Sequence, residues 1–443
     1  MSKLSSRSAP WLAGAAIALT IGLALVWGGR ERQVPAGFVR VRGTQFELNG
    51  RPYRYLGANY WYGGLLATQG PAGQARLAQE LDFLQAHGVT NLRVMIGAEG
   101  YSNGYQFRVL QPLQPQEGQF DEQIMAGLDY LLAELARREM KAVLHFTNTW
   151  EWSGGLGQYL SWRGYPNPSL PKNPNYSWDR FRTYIAQFYT CAPCQSALNT
   201  SIRYVLARTN RRTGRTYVAD PTIMAWEIIN EPRPMRREAT PAFETWMKQT
   251  AALIKTLDKN HLLTTGSEGD IASDNDMAVY ERLHADSNID YATIHIWPKN
   301  WGWFKDTATA QGFPVVLGKA TAYVDRHVAV AAKIGKPLVV EEFGLPRDGQ
   351  VFTPAASTTL RDQYYATLFG LMRGGRAPAG QVIAGYNFWA FSGAGRPRPG
   401  QVYWKAGDAY LGDPGGEEQG LNSVFDADTS TWAVIDQYVR AIR

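Results

Sequence analysis

The 443-residue chain is poor in the two residues that most often bind transition metals, with two cysteines and six histidines. The cysteines form one local pair, Cys191-Ala192-Pro193-Cys194. No second cysteine pair and no nearby histidine pair accompany it, which argues against structural zinc. In an exported chain the pair reads as a loop disulfide that adds little stability, because the loop is short. Dense basic blocks are also missing. The formal net charge is +6, but Arg211-Arg212 and Arg236-Arg237 are no more than pairs, so no nucleic-acid partner is expected. No repeat of 20–50 residues is visible, which excludes solenoids and propellers. Long apolar runs are lacking except at the start, where Lys3 and Arg7 precede an uncharged stretch from Trp11 to Trp27. That stretch is long for a signal sequence and short for a spanning helix. Residues 1–29 therefore read as a signal peptide or membrane anchor, and residues 30–37 as a linker. The remainder is expected outside the cytoplasm: secreted, periplasmic, or attached to a membrane through residues 11–27.

Aromatic residues are abundant, with 15 Trp and 23 Tyr. They serve either a large core or platforms on which sugar rings stack. From residue 38 onward, about eight short apolar runs alternate with helical periodicity. The runs begin with Tyr55 to Asn59 and continue through Asn91 to Ile96, Lys141 to Phe146, Ile223 to Ile229, Leu262 to Thr265, Tyr291 to Ile296, Leu338 to Glu342, and Val382 to Trp389. Helices are expected at residues 77–87, 121–138, 197–210, 243–258, 324–334 and 357–373. Strands without polar alternation are buried on both faces. The alternation implies an α/β fold, a right-handed parallel (β/α)8 barrel with long βα loops. Two strand-like runs around Asn49-Gly50 predict an N-terminal hairpin covering the barrel floor.

Polar residues recur at the carboxyl ends of these strands, where such barrels keep their chemistry. Arg93 lies in the second strand and His145 in the third. Asn230-Glu231-Pro232 stops the fourth, and the proline biases Glu231 away from right-handed helix. His295 and Trp297 end the sixth strand, Glu342 the seventh, and Trp389 the eighth. Two strands ending in glutamate supply what a pair of catalytic carboxylates requires. Adjacent residues on a regular strand face opposite sides, so of Glu341 and Glu342 one is expected to enter the barrel mouth.

The motifs Asn230-Glu231-Pro232-Arg233, His295-Ile296-Trp297-Pro298, Glu342-Phe343-Gly344 and Asn387-Phe388-Trp389 resemble the strand-end motifs of glycoside hydrolase family 5. The residues Gly57-Ala58-Asn59 with Trp61, Asn148-Thr149-Trp150 with Ser153-Gly154-Gly155, Arg233, and the loop from Trp297 to Trp303 look like its endo-β-1,4-mannanase branch. The resemblance implies a retaining hydrolase with no cofactor. Glu231 would be the acid/base, with a raised pKa, and Glu342 the ionised nucleophile beside Arg93. Asn230 would bind the sugar 2-OH, His295 would orient the acid, and Trp389 would be the stacking floor. Arg233 would contact a leaving-side sugar, Trp150, Trp152 and Trp162 would line the glycone side, and Trp61 and His145 join the substrate-binding set. The loop at residues 393–399 would border the cleft. The family usually has tyrosine where this chain has Trp297, so the resemblance does not supply the phenolic hydroxyl that reaches the nucleophile, and an indole N–H is the alternative donor there.

The expected partner is a β-mannan polysaccharide, met by a monomer. A β-1,4-glucanase on the same barrel stays open, as does a non-catalytic sugar-binding barrel. A metal-dependent hydrolase using His145, His295 and carboxylates is the third alternative, although no close metal-ligand motif such as H-x-H appears.

Overall fold

The computed structural model describes residues 36–442 apart from 102–107, 168–176, 305–308 and 373–381. The apolar stretch Trp11 to Trp27 lies outside the described residues. Among the described residues no helix is long and apolar enough to cross a membrane.

Eight parallel strands form the core sheet. In chain order they are Tyr55–Asn59, Asn91–Met95, Lys141–His145, Ile223–Glu227, Leu262–Thr264, Ala292–Ile296, Leu338–Phe343 and Ile383–Phe388. Sequence neighbours pair except the fifth and sixth, which are the two edges of the sheet, and the first strand pairs with the eighth. The fifth and sixth strands meet at the seam through the Asp290 amide on the Leu263 carbonyl at 2.8 Å and the Thr264 hydroxyl on the Tyr291 carbonyl at 3.0 Å. All five residues of the fourth strand are buried, its terminal Glu227 included.

Helices wrap this sheet. The helix Glu122–Arg137 shows why the periodic stretches fold as they do. Asp121 caps it by accepting from the Gln123 amide at 2.7 Å, and Ile124, Leu128, Leu131 and Leu135 form its buried face. Other helices start earlier than expected. The sixth-strand crossover helix runs Thr309–Ile334 and that after the disulfide runs Ala192–Leu206, with Pro193 in its first turn. Cys191 and Cys194 are disulfide-bonded at the start of the latter.

The N-terminal segment is a three-stranded antiparallel meander rather than one hairpin: Val39–Arg42, Gln45–Leu48 and Arg51–Tyr53. Its Val39 and Phe46 pack on Val143, Met224, Leu262, Tyr291, Val339 and Ala384, which lie toward the amino-terminal half of the barrel. Phe46 meets Tyr291 edge-on at 5.3 Å. The meander plugs the floor and leaves the opposite mouth to the loops.

Candidate active site

Arg93 organises the mouth of the barrel. Its guanidinium is 2% exposed. It holds Glu227 in a two-point grip, Nε on Oε2 at 2.8 Å and Nη2 on Oε1 at 2.6 Å. Nη2 also donates to Asn230 Oδ1 at 2.6 Å, and Nη1 to Asn59 Oδ1 at 3.1 Å and to Glu342 Oε1. A charge this deep is tolerated because partners occupy its fork.

Glu231 stands four residues beyond Glu227, the last residue of the fourth strand. Its φ is +53°, in the left-handed region that costs a non-glycine residue about 1 kcal/mol or more. Pro232 does keep it out of right-handed helix, as expected. The conformation is held by the Glu231 amide on the Gly266 carbonyl at 3.0 Å and the Asn230 amide on the Thr147 carbonyl at 2.9 Å. Gly266 has φ +80°, and a Cβ there would lie 2.0 Å from the Ile229 oxygen and 2.3 Å from Glu227 Oε1. The end of the fifth strand reaches this close because it carries glycine.

The two catalytic candidates share one histidine. His295 Nδ1 lies 2.8 Å from Glu231 Oε1 and 3.4 Å from Glu342 Oε2. The second oxygen of Glu231 accepts from Trp150 Nε1, and Glu342 Oε2 accepts from Trp297 Nε1 at 3.2 Å. One oxygen of each glutamate and the histidine nitrogen all lie within 4.8 Å of one another. That spacing would also suit a small cation. However, the imidazole N–H points between the carboxylates, and the Arg93 guanidinium already supplies positive charge at Glu342.

The direction of the Glu231 shift differs from the sequence expectation. Burial alone would raise Glu231, but the hydrogen bond and charge of His295, the charge of Arg233 and the Trp150 N–H outweigh it and hold the carboxyl below its usual range. Glu342 moves the other way, raised by burial and by Glu231 against the opposing pull of His295 and Arg93. Burial disfavours the imidazolium of His295, yet the surrounding carboxylates push its pKa up to about 10. These directions favour a proton on His295 Nδ1, within hydrogen-bond distance of Glu231, over one on Glu231.

A second correction concerns Glu341. The register of the seventh strand slips between Val340 and Glu342: Val340 pairs with Ile294 and Glu342 with His295. This bulge turns both adjacent glutamates inward, where regular alternation would have sent one out. Glu341 Oε1 lies 3.9 Å from Arg93 Nε.

Above these groups opens a cavity of about 490 Å³. It is lined by Asn230, Glu231, Glu342, Trp297, Trp389, Trp150, Trp152 and Arg233, all of which the sequence singled out. Asn230 Nδ2 donates to Asn148 Oδ1 at 3.0 Å, which fixes the amide. Trp297 and Trp389 meet edge-on at 5.7 Å. Gly344 admits this pair, since a Cβ there would be 2.9 Å from the Trp297 ring. Arg233 lies over Trp150 at 5.0 Å and pairs with buried Glu268 at 2.5 and 2.7 Å.

Five residues from the sequence reading do not line the cavity: Arg93 and His295 hold the carboxylates from beneath it, and Trp61, His145 and Trp162 are placed elsewhere. Trp61 is buried behind Trp152, at 5.4 Å between ring centres, and donates to the Gly412 and Leu411 carbonyls at 2.9 and 3.1 Å. His145 is buried within the third strand, its Nδ1 3.3 Å from the Thr147 carbonyl, and burial holds it neutral, well below its usual pKa. Trp162 packs edge-on against Tyr159 at 5.3 Å. The 393–399 loop also turns away: the Ala394 amide bonds Glu80 at 3.1 Å, and Arg396 pairs with Asp426.

Sequence reasoning missed Trp178, Glu268, Asn300 and Glu417, which also line the cavity. Glu268 had a signal, a carboxylate just after the fifth strand. Glu417 had none. It sits in a long loop folded around buried Asp413, whose carboxylate accepts from the amides of Gly420, Asn422 and Ser423 at 2.9, 3.1 and 3.1 Å.

Known proteins resemble this chain over most of its length. A family model described as GH family 5 beta-mannosidase-like matches residues 36–443. Mannan endo-1,4-beta-mannosidase 7 of Arabidopsis thaliana is 31% identical over 386 residues, covering 83% of this chain and 82% of the relative. Mannan endo-1,4-beta-mannosidase 1 of Oryza sativa subsp. japonica is 28% identical over 421 residues, covering 92% and 86%. The crystal structure of a Glycoside Hydrolase Family 5 Mannosidase from Rhizomucor miehei superposes with a TM-score of 0.83 at 32% identity, covering 92% of this chain and 97% of that one. A barrel with its polar residues at the strand ends, built on this scaffold over nearly the whole chain, belongs to the β-mannosidase-like group of glycoside hydrolase family 5.

Proposed function

We propose that the protein is a retaining endo-hydrolase of β-1,4-mannosidic bonds in mannan, glucomannan or galactomannan, with residues 38–443 as its catalytic domain. The observation that carries this is the facing pair Glu231 and Glu342, with oxygens within 4.8 Å. Retaining glycosidases keep their carboxyl groups about 5–5.5 Å apart, whereas inverting ones leave room for a water between them. Relatives at about 30% identity named as mannan endo-1,4-β-mannosidases support the substrate class.

In the first step Glu342 attacks the anomeric carbon and the glycosidic C–O bond breaks. The leaving oxygen takes the proton that His295 Nδ1 passes to it through Glu231, which is left as the carboxylate. In the second step Glu231 takes a proton from water, the water oxygen bonds to the anomeric carbon, and Glu342 leaves. Asn230, held by Arg93 and Asn148, binds the 2-OH, and Trp389 stacks under the reacting sugar. The apolar stretch at residues 11–27 supports a location outside the cytoplasm, by export or by membrane anchoring.

The test is product analysis with Glu231→Gln and Glu342→Gln as controls. Wild type is expected to shorten mannan internally, with the β-anomer formed first by NMR. Mannan hydrolysis by either variant at the wild-type rate would sink the reading. A second reading, removal of mannose units from chain ends, is favoured by the compact cavity, which is nearer the size of a small-ligand pocket than an open groove. Mannose as the first product, with no loss of viscosity, would select it.

A further inference from the structure

One buried acid has no part in the scheme above. Glu341 is 1% exposed, and neither of its carboxylate oxygens has a hydrogen-bond partner. Burying a polar group without a partner is costly, and such groups call for an explanation. The bulge is what places it there, and the bulge is itself fastened, with Asn59 Nδ2 donating to the Glu341 carbonyl at 2.9 Å.

A complementary orphan lies opposite. His295 Nε2 is also buried without a hydrogen-bond partner. It is 3.9 Å from Glu341 Oε2, inside the range of an ion pair though beyond that of a direct hydrogen bond. The other nitrogen of the ring, Nδ1, serves Glu231 and Glu342. The imidazole thus stands between two sets of carboxylates, one at each nitrogen.

We propose that Glu341 is a positioning residue for the acid/base pair: it holds the Nε2 proton of His295, so that the ring stays doubly protonated and keeps its Nδ1–H aimed at Glu231. This deepens the hydrolase reading and rests on Glu231 being the acid/base. A neutral imidazole has one N–H, and with nothing at Nε2 that proton could sit on either nitrogen. A carboxylate at each end removes the choice. The other charged or titratable groups around the ring are Arg93 on the second strand, His145 on the third, Glu227 on the fourth and Glu268 after the fifth. Arg93 opposes a charge on His295, whereas His145 is held neutral by its burial. Of the three acids nearest the imidazole, Glu231 and Glu342 both address Nδ1, whereas Glu341 alone lies within ion-pair range of Nε2.

The experiment uses the full chain labelled with ¹⁵N-histidine, with the His295 signals assigned by their loss in His295→Asn. In wild type at pH 8 both ring nitrogens of His295 are expected to show the imidazolium signature. In Glu341→Gln, which keeps the shape and removes the charge, the imidazolium signature is expected to be lost about one pH unit lower than in wild type. The alkaline limb of the kcat/KM profile is expected to move down by about one pH unit or more, a roughly tenfold loss on that limb, with KM little changed. Glu341→Asp should restore part of the shift. Wild-type His295 found neutral at pH 8 would overturn the proposal, and that measurement needs no variant to fold. An unchanged imidazolium and pH profile in Glu341→Gln would overturn it too. The NMR readout stands apart from activity: failure to cut mannan refutes the hydrolase reading and leaves the ring's protonation separately measured.

Discussion

The indole N–H of Trp297 donates to Glu342 Oε2 at 3.2 Å. A larger, flatter side chain thus reaches the nucleophile from the position where the family usually has tyrosine. Glycine at residue 344 makes the room. Hydrogen bonds to charged groups contribute about 1.5–3 kcal/mol. Trp297→Phe should therefore lower kcat by about tenfold to a hundredfold, and Trp297→Tyr should retain more activity than Phe. Steady-state kinetics on mannan oligosaccharides checks both.

The ion pair of Arg233 with Glu268 supports the aromatic wall of Trp150 and Trp178. Glu268 is 1% exposed, so Glu268→Ala leaves the arginine without its counter-charge. Breaking a buried pair from one side costs about 3 kcal/mol. Urea denaturation should show that loss as a lower midpoint with an unchanged slope. A midpoint equal to wild type would mean the pair is held by solvent.

Stability should be pH-dependent on both sides. His295 has a raised folded-state pKa of about 10, so its contribution is complete below about 6.5 and is lost as pH rises through 10. His327 and His284 have the opposite sign, with burial lowering them to about 4 and about 3. Both nitrogens of each are occupied: His327 Nε2 accepts from the Asp270 amide at 2.9 Å while Nδ1 donates to the Tyr323 carbonyl at 2.7 Å. His284 Nδ1 donates to the Tyr280 carbonyl at 2.9 Å, and Nε2 meets Thr265 Oγ1 at 2.8 Å. The unfolded chain binds their protons first, so stability should fall as pH drops below about 6.5. Melting temperatures across pH 4–10 should describe a dome, and His327→Gln should flatten its acid side.

Reduction of Cys191–Cys194 should be nearly silent. The bond closes a loop with a sequence separation of 3, for which chain entropy allows about 2 kcal/mol at most. Dithiothreitol is expected to lower the denaturation midpoint slightly and leave kcat unchanged, because the pair lies at the start of an outer helix and does not line the cavity.

Chelation should leave hydrolysis unaffected. Glu231, His295 and Glu342 have metal-like spacing, but an N–H and a guanidinium occupy the places a cation would take. Activity lost in EDTA and restored by a divalent cation would reverse that assignment.

The barrel was legible because eight apolar runs cannot be satisfied except as strands buried on both faces. Their polar endings then located the site without any contact information. Glu231, Glu342, Asn230 and Arg93 follow from that rule, since each sits on or just beyond a strand. What could not be read was whatever depends on a local break in regularity. The bulge at Glu341 reverses the facing of one side chain and leaves no mark in composition. Glu417 arrives from a loop whose path is set by Asp413 and its backbone partners, far from any periodic pattern. Trp61 illustrates a different limit: a tryptophan after a strand end reads the same whether it faces sugar or supports the wall that does.

Trp61 in its observed place has a broader consequence. Its indole N–H fastens the start of the loop that carries Glu417, and Asp413 knots the remainder of that loop onto itself. The loop is anchored again near its end, where Arg347 donates to the Gly420 and Ser423 carbonyls at 3.3 Å. Residues between these anchors can change while Arg93 and the two glutamates, held by other strands, keep their geometry. Selection on the size of the sugar accepted and selection on the bond-breaking step can then proceed on separate parts of the chain.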